Sequence, residues 1–475
     1  IQDFKYKDKT PSEVLVELAT QHGMNVHDEE FHKILDDGDE LSKFRERFEI
    51  PKLCSYPGVF VQINVIIGTN LSFTVDCDVT KDDDCVYFCG HSLGLQPKST
   101  ESHVQQVLEN WKQNADESRF LTSYPSAFCD KQAKKGLSEL VGCSENEVVA
   151  MNSLTTNLHL LMTSFYQPTK DRYKILIEQN AFPSDYYVVA SQIRLAGYDE
   201  DESLILVKPR QNEKLFRMDD IIEVIEKDGD SIALILLPGV YFITGQAFDM
   251  KAITEAGHKK GCYVGYDLAH AVGNIELHLH EWGVDFACWC TYKYLNSGPG
   301  GIGAAFLHRR FDNTKMNKLL VHYVLFIGWW GHKESTRLEM TSDFDFAPGI
   351  DSYRLSNPPA LLVVCLIASL NEFLEAGGRR LREKRFLLTG YLDYLLKHHF
   401  SEPSNTSKVT VDIVTPLKFA ERGCQLSIRF SCPVHKVSEE LRKRGMIFDI
   451  RKPDVMRLTP VPLYNSFYDV YRFVD

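Results

Sequence analysis

A lysine, an aspartate and a polar helix start carry the chemistry that this sequence offers. Lys293 stands in TYKYLNSGPGG, directly after the apolar stretch DFACWC and before a glycine-rich loop. Asp267 ends CYVGYD and is followed by Ala269 and His270. In a parallel sheet, an acid at a strand's C-terminal end and a lysine on the loop after the next strand both open into the ligand crevice. There a lysine amine can condense with an aldehyde, and a carboxylate can keep a pyridinium nitrogen protonated; pyridoxal phosphate needs both. The spacing reads equally well as an Asp–Lys ion pair on the sheet rim. The third element is MNSLTTNLHLLM, polar and then apolar at helical spacing, with Ser153, Thr155 and Thr156 at its start. The amides and positive dipole end of such a helix hold a phosphate, although the hydroxyls would also serve as plain caps.

Other patterns point away from other chemistries. GPGGIG, with Gly298, Gly300 and Gly303, matches the dinucleotide fingerprint. That fingerprint should follow a strand and open a helix; here it precedes the strand candidate IGAAFLHR. His278/His280 and His398/His399 lack partners at ligand spacing, so structural or surface roles are expected and no metal is assigned. The 12 cysteines include no CxxC pair. Cys288 and Cys290 share one side of an apolar strand and Cys365 sits in an apolar run, where free thiols pack as small hydrophobes. A reducing cytosol is the expected compartment.

The elements that must position these residues follow from periodicity. RYKILIE, SIALILLPG, CYVGYDLA, DFACWC and GGIGAAFLHR are short apolar runs, and they alternate with helical patterns such as IIEVIEKDGD and MKAITEAGHKKG. Such runs mark strands buried on both faces. The fold class is therefore α/β: a large domain with a mostly parallel sheet covered by helices on both faces, plus a smaller α+β C-terminal domain. Residues 1–80 read as an N-terminal helical segment with an atypical apolar insert, 81–358 as the large cofactor-binding domain, and 359–475 as linking helices and the small domain. PSEVLVELATQHG and DELSKFRERFEI both read as helices.

With 475 residues, 53 basic against 65 acidic side chains and a net charge of −12, the chain is an acidic globular protein. That balance argues against a nucleic-acid partner. Its apolar windows fall short of a spanning helix, so no membrane partner is expected.

The motifs, taken together, closely resemble the kynureninase family, of aspartate-aminotransferase fold. The resemblance rests on HSLGLQPK, MNSLTTNLHLLM, AFPSDYY, KGCYVGYDLAHAVGN, WGVDFACWCTYKYLNSGPGG, GWWGHKESTR, YRLSNPP and RLTPVPLYNSF, and it covers nearly the whole chain. It implies pyridoxal 5'-phosphate as cofactor, with Lys293 as the catalytic lysine that holds it covalently. It implies cofactor contacts from Leu154, Thr155, Phe182, Pro183, Ser184, Asp185, Asp267, His270, Tyr292, Trp329 and Asn357. Phe182 would stack on the ring, and Trp329 and Asn357 would come from the neighbouring subunit of a homodimer. Arg457, with Asn357, would bind substrate through its α-carboxylate. The implied reaction is hydrolytic cleavage of kynurenine or 3-hydroxykynurenine in tryptophan catabolism and pyridine nucleotide biosynthesis, in the cytoplasm.

The chain departs from the family pattern at four places. His91 replaces an asparagine, and Pro238 stands where a serine is common. Apolar inserts occupy parts of 53–79 and 321–327. The stretch after Trp111 lacks the histidine expected against the substrate's aryl ring. These departures keep two alternatives open: a catalytically impaired cofactor-binding relative, or another enzyme of the same fold.

Overall fold

Strand sequences with no polar alternation must be covered on both faces, and the computed structural model, which describes residues 4–53, 83–312, 326–402 and 409–475, meets that requirement. After the short strand β1 (Val86–Tyr87), the chain lays down β2 (Val148–Ala150), β3 (Lys174–Glu178), β4 (Leu204–Val207), β5 (Ile232–Pro238), β6 (Tyr263–Asp267), β7 (Phe286–Cys290) and β8 (Gly303–Leu307). The last seven form one sheet in the order β2-β8-β7-β6-β5-β3-β4. The β4-β3-β5-β6-β7 run is parallel, whereas β8 is antiparallel to both its neighbours. Every residue of β7 and β8 is buried. Helices Leu154–Phe165 and Pro183–Leu195 contribute Leu158, Leu161, Val188 and Ile193 to the apolar cluster against the sheet, beside Ile175, Leu234 and Phe286.

The strand order creates the crevice. From β3 the chain moves outward to β4, then returns to the other side of β3 as β5. Ligands of open α/β sheets bind at such a reversal, beyond the strands' C-terminal ends.

This sheet belongs to a unit made of Pro97–Gly378 and Pro416–Gly423. The other unit comprises the described residues up to Gln96 together with Arg379–Thr415 and Cys424–Asp475. It holds β9 (Val411–Ile413), β10 (Leu426–Phe430), β11 (Met446–Ile447), β12 (Asp449–Arg451) and β13 (Val455–Leu458). Four of these form an antiparallel sheet, β12-β13-β10-β9, while β1 pairs with β11 in parallel. The N-terminal segment expected over 1–80 builds no core of its own where it is described. Leu15, Val26, Phe31 and Leu35 share one apolar cluster with Leu388, Tyr391, Ile428 and Phe467.

Two expectations need correction. PSEVLVELATQ is a helix with a capping box from Thr10 and Glu13, but DELSKFRERFEI yields only the 3-10 turn Ser42–Arg47. The reason is tertiary: Arg45 donates to Tyr464 O at 2.7 Å and Asp469 at 2.6 Å instead of joining pairs along a helix. The strand Leu204–Val207 escaped the sequence reading because it is four residues long and follows an acidic run. The apolar inserts near 53–79 and 321–327 fall almost wholly outside the described residues. Among those residues, no single helix is long and apolar enough to cross a membrane. The window around 359–370 belongs to helix Ala360–Ala376, whose Val363, Val364, Leu366 and Leu370 are buried in the protein itself.

Candidate active site

Four neighbouring strands end in residues that line one cavity: Glu178 on β3, Pro238 on β5, Asp267 on β6 and Cys290 on β7. The start of helix Leu154–Phe165, the start of helix Pro183–Leu195, and the loop after β7 complete it, with Ser153, Leu154, Thr155, Phe182, Ser184, Asp185, His270, Tyr292 and Lys293 in the lining. The sheet thus gathers at its reversal side chains that are more than 100 positions apart in sequence.

Each part is fixed locally. Lys293 follows β7 on a loop closed by Thr291, whose hydroxyl bonds Ser297 Oγ and the Ile302 carbonyl, and by a turn from Asn296 N–H to Lys293 O at 3.0 Å. The turn needs a left-handed residue, and Asn296 supplies it at φ +50°. Asp267 Oδ1 accepts the Ala269 amide at 2.7 Å, which sets the carboxylate's direction. Lys293 Nζ then lies 3.0 Å from His270 Nε2 and 5.7 Å from the centre of the Phe182 ring. Phe242 packs edge-on against Phe182 at 5.4 Å and holds that ring in place.

The glycine loop works differently from the simple expectation that it lets a group approach the backbone. Gly298 and Gly300 are needed for positive φ (+91° and +67°), with open space around them. Gly303 is the close-approach position: a Cβ there would lie 2.8 Å from Ser153 C and 3.0 Å from Leu154 N. The loop precedes β8, so it is no dinucleotide fingerprint. The helix start it touches is not spent on capping, since Ser153 makes no side-chain cap bond. Instead Thr155 Oγ1 and Ser184 Oγ stand 2.9 Å apart and join the two helix starts.

The floor of the cavity is acidic. Asp185 and Asp267 are both buried and face one another. Burial and the Asp267 charge raise the Asp185 carboxyl well above its ordinary range. Burial raises Asp267 too, opposed by the Asp185 hydrogen bond, the Lys293 charge and the Ala269 amide. Of the two, Asp185 is raised the further. Burial pushes Glu178 up to about 8 and the Cys290 thiol up to about 11.

Pyridoxal phosphate fits this arrangement. Asp185 Oδ1 is buried without a hydrogen-bond partner among the described residues, and three acids share the cavity with one lysine. A protonated ring nitrogen would supply a cation beside Asp267. The uncapped helix start offers amides and two joined hydroxyls to a phosphate.

Of the residues expected from sequence, the structure brings together Leu154, Thr155, Phe182, Ser184, Asp185, Asp267, His270, Tyr292 and Lys293. Pro183 is the first residue of the helix that presents Ser184 and Asp185. Trp329 and Asn357 are exposed and outside the lining; Trp329 Nε1 donates to Arg337 O at 3.0 Å. Arg457 lies on β13 of the other unit and donates from Nε to Asp449 at 2.7 Å. Glu178, Val240 and Phe242 were missed. Glu178 carried a readable signal, an acid ending a buried apolar strand, the same signal that marked Asp267.

One further cluster offers metal-ligand atoms: Glu147, His280 and His308. Hydrogen bonds account for it. Glu147 accepts from the Ser144 amide and hydroxyl, the Arg309 amide and His280 Nδ1, and His308 Nδ1 accepts the Arg310 amide.

Comparison with known proteins agrees with this geometry. The aminotransferase class-V family model matches residues 86–321, and the kynureninase C-terminal domain model matches 381–475. The kynureninase of Homo sapiens is 47% identical over 466 residues, covering 98% of this chain and 96% of its own. That of Nematostella vectensis is 45% identical, with the same two coverages, and that of Myxococcus xanthus is 47% identical over 82% of this chain and 88% of its own. Among solved structures, the cystine C–S lyase C-DES superposes with a TM-score of 0.64 at 15% identity, over 81% of this chain and 95% of its own. A cysteine desulfurase from Thermococcus onnurineus gives 0.63 at 16%, over 82% and 93%. Those two share the fold. Identity of this height along almost the entire length is a closer bond, and the chain belongs to the kynureninase family.

Proposed function

We propose that the chain uses pyridoxal phosphate and water to cleave the Cβ–Cγ bond of L-kynurenine, or of 3-hydroxykynurenine, releasing L-alanine and anthranilate or 3-hydroxyanthranilate. The observation that carries this reading is one cavity holding the Lys293 amine 3.0 Å from His270, beside the buried Asp267 carboxylate and an uncapped helix start. When bound, the cofactor supplies an electron sink for the substrate's α-carbon. Lys293 would hold the cofactor covalently and would take up the substrate's α-proton, and His270 would keep the amine within reach of that carbon. Asp267 would keep a proton on the ring nitrogen, with Asp185 packed beside it. Leu154, Thr155 and Tyr292 hold the phosphate, Phe182 covers the ring face, and Arg457 takes the α-carboxylate.

The reading extends to a homodimer, in which a second copy presents Trp329 and Asn357 to the cavity; both are exposed and neither is part of its lining, which supports this. It extends to the cytoplasm, since every described cysteine is a free thiol. No nucleic-acid or membrane partner is proposed for a chain of net charge −12.

The test is incubation of purified protein with pyridoxal phosphate and L-kynurenine, followed by anthranilate fluorescence. Borohydride should fix the cofactor onto Lys293, and Lys293→Ala should lose both the label and the turnover. Cofactor-loaded protein that yields neither anthranilate from L-kynurenine nor 3-hydroxyanthranilate from 3-hydroxykynurenine would leave the impaired relative as the correct reading.

A further inference from the structure

A polar cluster around the buried Arg457 and His91, in the unit that holds β13, has a role beyond any assigned so far. Arg457 on β13 and Asp449 on β12 are partners across the antiparallel ladder. Arg457 Nε donates to Asp449 Oδ2 at 2.7 Å, and Nη2 donates to the same oxygen. His91 Nε2 lies 3.9 Å from that oxygen and Arg451 Nε 3.0 Å from it. His91 is fully buried, and its Nδ1 stands 2.6 Å from the hydroxyl of Thr459, two residues beyond Arg457. Ser92 Oγ accepts from Arg457 Nη2 at 3.4 Å. Burial alone would raise the Asp449 carboxyl, but the nearby His91 and the Arg457 charge hold it well below the usual carboxylate range.

A guanidinium is a rigid planar fork. An acid bound along its Nε–Nη2 edge fixes both its plane and the direction of its Nη1–Nη2 end. We propose that Asp449 is the positioning residue for Arg457, and that His91, braced by Thr459, positions Asp449, so that together they aim the guanidinium end at an amino acid's α-carboxylate. This rests on the reading of Arg457 as the carboxylate grip. Two effects of Asp449 oppose one another. Its negative charge weakens the pull on a second carboxylate, whereas its geometry aligns the charge-assisted hydrogen bonds on which that recognition depends. In a buried site alignment dominates, because an arginine stripped of its acid turns to whatever acceptor remains.

The experiment measures KM and kcat for L-kynurenine with cofactor-loaded wild type, Asp449→Asn, Asp449→Glu, His91→Leu and Arg457→Gln. It adds the dissociation constants of L-alanine and L-alaninamide, read from the cofactor's absorbance. Asp449→Asn should raise KM by about 10- to 100-fold, the weight of a misaligned charge-assisted bond, with kcat within about threefold. The same variant should lose the preference for alanine over its amide, and Asp449→Glu should recover part of it. His91→Leu should shift KM in the same direction by up to about fivefold, the order of a weak charged contact, and it carries the test if Asp449→Asn does not fold. Should Arg457→Gln raise KM while Asp449→Asn and His91→Leu leave it unchanged or lower it, the positioning role is wrong and the carboxylate grip stands. An unchanged KM in Arg457→Gln overturns both.

Discussion

Replacing Gly303 by alanine tests whether the sheet and the phosphate-side helix start are one rigid piece. Gly303 opens β8, and both of its backbone groups are committed: its N–H donates to Asn152 O at 2.7 Å, and its carbonyl accepts from Met151 at 2.9 Å. A methyl group there would meet Ser153 C at 2.8 Å, Leu154 N at 3.0 Å and Asn157 Nδ2 at 3.1 Å. Ordinary carbon contacts begin near about 3.5 Å, so the helix start must retreat by roughly 0.7 Å. Asn157 resists that movement, because its side chain is buried and donates to Met151 O at 2.9 Å. Overpacking of this kind costs about 1–3 kcal/mol, which should lower the melting temperature by several degrees. The retreat also shifts the Leu154 and Thr155 amides, which the proposed function assigns to the phosphate. Since a misplacement of about 1 Å costs on the order of 100-fold, pyridoxal phosphate titrated by absorbance should bind at least about tenfold more weakly. Gly378→Ala is the control: it lies at the start of helix Gly378–Phe400, with nothing within 4 Å of an added Cβ, and should hold stability or gain about 0.4–1 kcal/mol. Wild-type melting and cofactor affinity in Gly303→Ala would refute the reasoning.

Three other perturbations follow from the charges. Asp267→Asn keeps the Ala269 hydrogen bond and removes the charge that faces Asp185; turnover should fall by roughly 1,000-fold, while thermal melts hold or rise, and near-normal kcat would place the essential carboxylate elsewhere. Glu178 is raised from 4.5 to about 8 by burial, so the folded chain keeps a proton that the unfolded chain releases. Its contribution is complete below pH 4.5 and is lost as pH climbs toward 8, at up to about 1.4 kcal/mol per pH decade. Glu178→Gln should therefore match wild type in melts near pH 4.5 and exceed it at pH 8; parallel curves would contradict this. Lys384 and Asp39 form an ion pair at 2.7 Å with both side chains 4% exposed. Lys384→Met should cost about 3–5 kcal/mol in urea unfolding, and pairing it with Asp39→Leu should recover most of that; a silent single variant would show that water reaches the pair.

The sequence made the sheet readable because a strand covered on both faces has no polar alternation, and KILIE, IALILLP and FACWC have almost none. It hid what depends on partners far along the chain. Nothing in SKFRER shows that Arg45 will reach Asp469, or that Leu15 and Phe31 will share a core with Phe467. The site divides along the same line. Lys293, Asp267 and Thr155 could be read because each stands where one element ends and the next begins, and the topology alone carries such junctions to one edge of the sheet. Phe242 is four residues past a strand end, and its place comes from edge-on contacts with Phe182 and Tyr241. Glu178 obeyed the same junction rule as Asp267 and was passed over for want of a lysine after the next strand. Its inclusion shows that the rule concerns the sheet and not the pair: Glu178, Pro238, Asp267 and Cys290 close four adjacent strands at the reversal of strand order. Whatever residue type ends those strands faces the ligand. Pro238 is the plainest case, since a side chain with no hydrogen-bonding group holds its place in the row by backbone position alone.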